Sequence, residues 1–280
     1  MAARIKDSKP LESFKGSLVL VGAGKMGGAM LEGWLARGLA PMAVTVLDPQ
    51  PSKRLRELTK RGVTLNPPAV RGKASVLVVG VKPQDAASAL QSLEPRTART
   101  SLVVSIMAGR TLAFLQDALP QGVAIVRTVP NLPASIGRGI TVAVANKRVS
   151  EAQKKTATEL LAACGAVEWT ADEKLLDAVT AVSGSGPAYV FLLAEALTAA
   201  AIAAGLPAEL SARLARETIA GAGELLLRSP LDAATLRKNV TSPNGTTAAA
   251  LEVLMGPGGV ETLMSTAVAK ATRRSRELAG

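Results

Sequence analysis

The chain has 280 residues, 48% of them hydrophobic and 20% charged, a composition typical of a globular protein with one large domain or two ordinary ones. The absence of histidine excludes serine–histidine–aspartate catalysis and histidine-ligated metals. The single cysteine, Cys164, excludes an internal disulfide and a cysteine metal cluster. We therefore predict that the protein binds no metal.

A net charge of +11 would suit a nucleic-acid-binding protein, but two other features argue against one. Aromatic residues make up 2% of the chain, too few for base-stacking platforms, and the basic residues are scattered along it. We predict no nucleic-acid partner and favour either a basic field that attracts small anionic ligands or a basic surface that only keeps the protein soluble. A non-catalytic nucleotide-binding protein remains the alternative from another functional class.

The N-terminal segment and the most apolar stretch of the chain indicate where the protein is located. Residues 1–16 lack an apolar signal segment and contain acids, so we interpret them as a loose N-terminal tail of a cytoplasmic protein. The most apolar stretch, Ala188–Ala204, contains Glu195 and is short for a bilayer span of about 20 residues. It predicts a buried helix and no association with a membrane.

Strands and helices alternate through residues 17–172. Helical patterns cover Met26–Arg37, Ser52–Arg61 and Glu151–Cys164. Apolar runs typical of buried strands are Leu18–Val21, Ala43–Leu47, Ser75–Val81, Leu102–Met107, Ala124–Thr128, Thr141–Ala145 and Ala166–Trp169. This alternation predicts an α/β domain with a parallel sheet of the Rossmann type.

Residues 173–280 show only helical patterns separated by glycine and proline. The predicted helices are Glu173–Val182, Pro187–Ala204, Ala208–Leu227, Asp232–Asn239, Thr246–Leu254 and Val260–Leu278. Pro187–Ala204 is apolar on almost every face, so it needs burial on all sides. A small domain does not supply that cover alone, and we predict an all-helical domain that packs against a second subunit.

The segment Gly22-Ala23-Gly24-Lys25-Met26-Gly27 follows the first strand and opens the first helix, the context in which G-x-G-x-x-G predicts dinucleotide binding. Gly22 permits the tight turn, and Gly24 lets the backbone approach a pyrophosphate at the helix N-terminus. The alternative is a glycine-rich turn without a ligand.

The residues after the second strand leave the choice of dinucleotide open. Asp48 lies near the offset of about 20 residues at which an acid binds the ribose of NAD(H). Ser52, Lys53 and Arg54 offer donors for the 2′-phosphate of NADP(H), or form a solvated helix face. Lys82, at the end of a later strand, is a further candidate for cofactor contact.

Six segments in order resemble the pyrroline-5-carboxylate reductase family. In the first half these are Gly22–Gly27, Val81–Gln84, Ser105–Gly109 and Arg127–Asn131. In the helical half, Asp177–Tyr189 resembles the motif DAxTxxSGSGPAY, and Val240–Leu251 resembles the signature around SPxGxT. The last two motifs are the more specific ones, and the resemblance covers residues 17–278.

The resemblance implies reduction of a cyclic imine carboxylate, 1-pyrroline-5-carboxylate, to L-proline by hydride transfer, the last step of proline biosynthesis. It implies NADP(H) as the cofactor, with NAD(H) as the alternative, and a homodimer through the helical domain that can gather into rings of dimers. The nearest alternative is another imine or 3-hydroxyacid reductase of similar architecture. A hydroxyacid reductase would lack the loop Ser242–Thr247 and would need a lysine on the helix Pro187–Ala204, which has none.

The resemblance also implies the site residues. Backbone N–H groups of Thr246 and Thr247 would hold the substrate carboxylate, and the Thr247 hydroxyl, the implied catalytic group, would lie near the ring nitrogen. The other implied substrate contacts are Glu173, Ser242 and Gly245. The implied cofactor contacts are Gly22, Gly24, Lys25, Met26, Gly27, Asp48, Ser52, Val81, Lys82, Pro83, Ile106, Met107, Ala108 and Asn239.

Two local features of the sequence limit these assignments. A helix start binds a carboxylate through its free N–H groups, but a threonine at that place more often only caps the helix. Residues 66–70 are shorter and richer in proline than the corresponding family segment, so no contact to adenosine is assigned there.

Overall fold

The computed structural model describes residues 10–68 and 72–279, with the side chain of Ala279 excepted. The described residues form two compact units. The α/β unit comprises the described part of Ile5–Gly184 together with that of Thr272–Gly280, and the helical unit comprises Ser185–Ala271. Residues 173–184 group with the α/β unit because Leu176 is buried in a cluster with Val129 and Val144.

The α/β unit is built on a sheet of eight strands. These are β1 Leu18–Val21, β2 Val44–Leu47, β3 Thr64–Leu65, β4 Val76–Val79, β5 Leu102–Ser105, β6 Ala124–Val129, β7 Gly139–Ala145 and β8 Gly165–Trp169. Their order in the sheet is β3-β2-β1-β4-β5-β6-β7-β8. The strands β1, β4, β5 and β6 are buried along their whole length, as expected for strands covered on both faces.

Helices cover both faces of the sheet. They are α1 Lys25–Ala36, α2 Lys53–Leu58, α3 Ala86–Leu93, α4 Leu112–Ala118, α5 Glu151–Ala162 and, after β8, α6 Leu175–Val179. One face of β1 carries Leu18 and Leu20, which cluster with α1, α2 and α5. The other face carries Val19 and Val21, which cluster with α3 and α4. Side chains on a strand alternate between faces, so both helical layers pack on one continuous sheet.

The direction of β7 corrects the predicted parallel sheet. β7 runs antiparallel to β6, with Val126 opposite Ala145 and Val129 opposite Val142, whereas the other paired strands are parallel. The connection between them contains only the short 3₁₀ helix Leu132–Ile136, and a parallel return needs a longer crossover. The predicted Rossmann-type α/β fold is otherwise confirmed.

The described part of the predicted loose tail is packed, while residues 1–9 of it lie outside the described residues. Leu11 is only 1% exposed and belongs to the cluster around Leu18, and its N–H donates to the carbonyl of Arg37 over 3.2 Å. Phe14 packs against the same cluster. Leu11 and Phe14 therefore anchor residues 10–16 to the α/β core, which corrects that prediction.

Trp34 joins α1 to α5. Its side chain is fully buried, and its Nε1 donates to the carbonyl of Leu160 over 2.8 Å. We expect Trp34→Phe to lower the free energy of unfolding by about 1–3 kcal/mol, because the Leu160 carbonyl loses its donor in a dry site. Urea titration measures the change, and Trp169→Phe, on a half-buried ring bonded to Thr158, is the matched control. Equal losses in both variants would contradict the assignment.

Cys164 follows α5 and is buried. Burial raises the pKa of its thiol from 9.0 to about 11, against a smaller opposite effect of the Arg37 guanidinium. The thiol stays protonated at neutral pH. Because its pKa is higher in the folded state, its contribution to stability is complete below pH 9.0 and is lost as the pH rises toward about 11.

The helical unit confirms the helices predicted for the second half. They are α7 Gly186–Ala203, α8 Ala208–Arg228, α9 Ala233–Asn239, α10 Thr246–Leu254 and α11 Val260–Ala279, whose last residues belong to the α/β unit. The predicted helix Glu173–Val182 is divided instead. It consists of α6 and a π-helical segment, Thr180–Gly184, which ends within the run Ser183–Gly186.

The most apolar helix is left largely exposed by residues 10–68 and 72–279. On α7, Val190, Phe191, Leu192 and Leu193 are each between 46% and 63% exposed. The segment Leu175–Ala203 is long and apolar enough to cross a membrane by length and composition, and none of its apolar window is buried. The described residues therefore leave α7 without burial of its apolar side chains.

Candidate active site

A groove of about 720 Å³ opens where β1, β2 and β4 end and α1 begins. It brings together predicted cofactor residues from three separate loops. Those that line it are Gly22, Gly24, Lys25, Asp48, Ser52, Val81 and Lys82. The carboxyl ends of parallel strands are where open α/β sheets bind ligands, so the groove lies where the fold predicts it.

The glycines of the first turn are required by their surroundings. Gly22 has a φ of +85°, and a Cβ there would lie 2.7 Å from the carbonyl oxygen of Gly80. A Cβ on Gly27 would strike the carbonyl oxygen of Gly22. At Gly24, in contrast, no described atom lies within 4 Å of the Cβ position. Gly24 is also the N-cap of α1 and provides no side-chain cap. Open space before uncapped N–H groups fits a pyrophosphate.

Two predicted contacts of the same segment do not line the groove. Met26 packs against the core cluster, and Gly27 is buried beneath the turn. Gly27 allows α1 to approach β1 closely, which is the ordinary role of the third glycine in this motif. Their cofactor contacts stay predictions.

Asp48 holds the glycine turn. Its Oδ2 accepts from the N–H of Ala23 and its Oδ1 from the N–H of Gln50, both over 2.8 Å. Asn66 brackets this residue, since its Oδ1 accepts from the Asp48 N–H over 2.9 Å and its Nδ2 donates to the Asp48 carbonyl over 2.7 Å. Asn66 has a φ of +43°, a conformation that asparagine tolerates better than most residues. Sequence analysis missed this role, and residues 69–70 of the segment lie outside the described residues.

Replacing Asp48 tests both of its roles. A 2′-phosphate is repelled by the carboxylate, so we expect Asp48→Ser to raise the affinity for NADPH relative to NADH. We also expect this variant to lose about tenfold in affinity for both dinucleotides, because the Ala23 N–H loses its acceptor. Asp48→Asn is the matched control, since it removes the charge and keeps an oxygen. Fluorescence titration with each dinucleotide measures both effects, and an unchanged ratio would place the carboxylate away from the ribose.

The loop after β4 is fixed by a residue that sequence analysis missed. Pro83 opens a 3₁₀ turn with Lys82 as its N-cap. The Arg110 guanidinium donates to the Pro83 carbonyl from Nη2 over 2.6 Å and from Nε over 3.2 Å. It also lies 4.7 Å from the centre of the Phe114 ring. Arg110 thus ties the loop after β5 to the loop that carries Lys82.

The three predicted contacts after β5 differ in exposure. Ile106 is half-buried and packs beside Gly80. A Cβ added to Gly80 would lie 2.8 Å from the Cδ1 of Ile106. Met107 is buried, and Ala108 is exposed. They follow the carboxyl end of β5, and their cofactor contacts stay predictions, as does that of Pro83.

Glu173 is held inside the α/β unit. Its Oε1 accepts from Arg127 Nη1 over 2.6 Å and from the Leu112 N–H, at the start of α4, over 2.7 Å. The Arg127 side chain is 5% exposed and that of Glu173 is 29% exposed. Among the described residues, Arg127 Nε is one of the few buried polar atoms without a partner. Glu173 therefore neutralises a buried cation, and its substrate contact stays a prediction.

The signature loop of the helical unit ends at an uncapped helix. α10 begins at Thr246, and its N-cap is Gly245, which makes no side-chain cap hydrogen bond. Thr246 and Thr247 are thus the first residues inside the helix, and the first N–H groups of a helix have no intrahelical partner. This arrangement removes the alternative that either threonine serves as the N-cap. The loop is suited to bind a carboxylate.

The rest of this loop is tightly wound. The Gly245 N–H donates to the Ser242 carbonyl over 3.1 Å, and a Cβ on Gly245 would strike the Ser242 hydroxyl. Asn244 adopts a φ of +58°. Asn239 ends α9 and is exposed.

At the other end of α9, the hydrogen bonds from Thr235 hold the pKa of the capping Asp232 below its usual value.

Comparisons with known proteins decide the family. Residues 173–278 match the family model described as pyrroline-5-carboxylate reductase dimerisation, and residues 17–109 match the one described as NADP oxidoreductase, coenzyme F420-dependent. The pyrroline-5-carboxylate reductase of Pseudomonas aeruginosa is 41% identical, over 94% of this chain and 96% of its own. This chain belongs to the pyrroline-5-carboxylate reductase family.

Solved structures agree with that membership. A pyrroline-5-carboxylate reductase from Coxiella burnetii superposes with a TM-score of 0.86 at 32% identity, covering 95% of this chain and 99% of its own. The Plasmodium falciparum pyrroline carboxylate reductase, solved with NADP bound, has a TM-score of 0.80 at 27% identity. The match covers 95% of this chain and 99% of that one. The family resemblance predicted from the sequence motifs is therefore confirmed. No group of three or more potential metal ligands occurs among the described residues.

Proposed function

We propose that the chain reduces 1-pyrroline-5-carboxylate to L-proline in proline biosynthesis, with NADP(H) as the hydride source and NAD(H) as the alternative. The observation that carries the proposal is 41% identity to a pyrroline-5-carboxylate reductase across almost the whole chain. The match of residues 17–109 to an NADP oxidoreductase model supports the cofactor. The test is to add pyrroline-5-carboxylate and NADPH, follow the absorbance of the reduced nicotinamide and quantify L-proline. Absence of proline would contradict it, and turnover of other imines alone would favour the alternative reductase.

The groove of the α/β unit would hold the cofactor. The backbone at Gly22 and Gly24 and the N-terminus of α1 would bind the pyrophosphate, with Lys25 beside them. Ser52 would serve the ribose side, where Asp48 supports the turn. The further predicted cofactor contacts are Val81, Lys82, Pro83, Ile106, Met107 and Ala108, and Asn239 would contact the nicotinamide end. The bound cofactor supplies a hydride.

The signature loop would bind the substrate. N–H groups of Thr246 and Thr247 would hold the carboxylate, with Ser242 and Gly245 shaping the loop and Glu173 lining the pocket. The Thr247 hydroxyl would contact the ring nitrogen and fix the ring. A protonated imine is already electrophilic, so the carbon accepts the hydride while the C=N electron pair moves to nitrogen. Positioning supplies much of the rate, and no histidine is needed.

Thr247→Ala tests the role of this hydroxyl. Losing a hydrogen bond to a charged group costs about 1.5–3 kcal/mol. We expect kcat/KM for the imine to fall roughly 10- to 150-fold, while NADPH affinity changes little. Thr247→Ser keeps the hydroxyl and is the matched control. A kcat/KM within about twofold of the parent, combined with a lower Tm, would assign Thr247 to helix stability.

The proposed assembly is a homodimer through the helical domain, formed in the cytoplasm. Its supports are the match of residues 173–278 to a dimerisation family and the exposed apolar side chains of α7. Assembly into rings of dimers is the larger alternative. The segment Leu175–Ala203 has the length and composition of a membrane span, but Glu195 interrupts it, and we assign it a protein partner. The proposal includes no nucleic-acid or membrane partner.

A further inference from the structure

Glu32 and Arg54 form an ion pair beside the dinucleotide groove. Glu32 lies on α1, and Arg54 lies in the first turn of α2, whose N-cap is Ser52. Arg54 Nη2 donates to Glu32 Oε2, and Arg54 Nε pairs with Glu32 Oε1. Both residues line the groove together with Asp48 and Ser52. The contact is therefore bidentate, with one edge of the guanidinium occupied by the carboxylate.

This pair has little to contribute to stability. The side chain of Arg54 is 74% exposed and that of Glu32 is 37% exposed. Exposed ion pairs contribute only about 0–1 kcal/mol to folding. The guanidinium can thus leave the carboxylate at low cost when a better acceptor enters the groove.

A 2′-phosphate is such an acceptor. Arginine binds phosphate and carboxylate with the same planar edge, so the two groups compete for one side of Arg54. A dinucleotide without the phosphate leaves the ion pair intact. A 2′-phosphate that takes the edge held by Glu32 breaks the pair and brings a second negative charge near Glu32.

We propose that Glu32 is a specificity-determining residue that competes with the 2′-phosphate for Arg54 and so limits the preference of the groove for NADP(H) over NAD(H). This proposal rests on the proposed function, which assigns a dinucleotide to the groove. It adds a second determinant of selection beside Asp48, whose oxygens accept from Ala23 and Gln50.

Calorimetry with two probes tests the competition without any turnover. The probes are ADP-ribose and 2′-phospho-ADP-ribose, and the measured quantity is the ratio of their affinities for the full-length protein. We expect Glu32→Gln to raise the ratio in favour of the phosphorylated probe by about threefold to fivefold, the range that an exposed ion pair allows. Arg54→Gln is expected to lower the ratio. Glu57→Gln, an exposed residue of α2 that does not line the groove, is the matched control for net charge.

The double variant separates competition from simple repulsion. If Glu32 acts through Arg54, Glu32→Gln has no further effect on the ratio when Arg54 is already glutamine. A full gain in that background would overturn the competition, as would equal ratios in Glu32→Gln and Glu57→Gln. If the parent protein binds both probes and these ratios do not change, only this inference fails. If it binds neither probe, the dinucleotide site fails, and the proposed function fails with it.

Discussion

Replacing Ala200 with aspartate is expected to abolish assembly and reductase activity together. Ala200 is exposed on α7 among apolar side chains that stay exposed in the described part of the chain. Apolar surface left in water costs about 25 cal/mol per Å², which favours burial of this helix against a second copy. An unpaired carboxylate inside that contact costs several kcal/mol, so the dissociation constant should rise by at least about 100-fold.

Sedimentation measures the assembly, and the imine assay is run on the same samples. Ala152→Asp, on the exposed first turn of α5, adds the same charge to the α/β unit and is the matched control. We expect it to keep both the assembly and the rate. A parent protein that sediments as a fully active monomer would contradict this interpretation of the helical unit. An Ala200→Asp variant that remains a dimer would place the interface elsewhere.

Glu173→Ala is expected to lower the free energy of unfolding by about 3 kcal/mol, the lower end of the range for breaking a buried ion pair. Arg127 would keep its charge in a site that is 5% exposed, and its Nε already lacks a partner. The Leu112 N–H would lose its acceptor at the same time. Urea denaturation measures the loss, and Glu168→Ala, on the exposed side of β8, is the matched control.

A second variant tests whether the stranded charge causes that loss. Arg127→Met removes the cation and keeps much of its apolar stem. We expect the double variant Arg127→Met/Glu173→Ala to be more stable than Glu173→Ala alone, because no uncompensated charge remains. If the double variant is less stable than Glu173→Ala, the unpaired Arg127 charge does not cause the loss and the argument from desolvation is wrong.

The sequence predicts most of the fold because the elements of this chain have strong local patterns. Fully buried strands such as β1 and β4 read as continuous apolar runs, and α1 shows helical spacing that ends near Gly38. The two-residue strand β3 is too short to show any periodicity. The direction of β7 depends on the length of a connection, and the burial of Leu11 depends on contacts with α1, so neither has a local signal.

The same distinction separates the site residues that were predicted from those that were missed. The glycine turn and the loop before Thr246 are contiguous motifs, so their chemistry can be read in order. The supporting contacts join distant segments: Arg127 and Glu173 are 46 residues apart, Arg110 and Pro83 are 27 apart, and Arg54 and Glu32 are 22 apart. One sequence carries no pattern that pairs such residues, and only the folded chain brings them together.

The buried thiol makes this chain a convenient starting point for site-specific labelling. Cys164 is its single cysteine, and with a pKa of about 11 only about one thiol in ten thousand is ionised at pH 7. Maleimide reagents attack the thiolate, so they should leave the native side chain unmodified in the folded protein. A cysteine introduced at any exposed position would then be the only reactive one. Fluorophores for distance measurements could be attached without first removing Cys164, and the α5–β8 packing around it would stay intact.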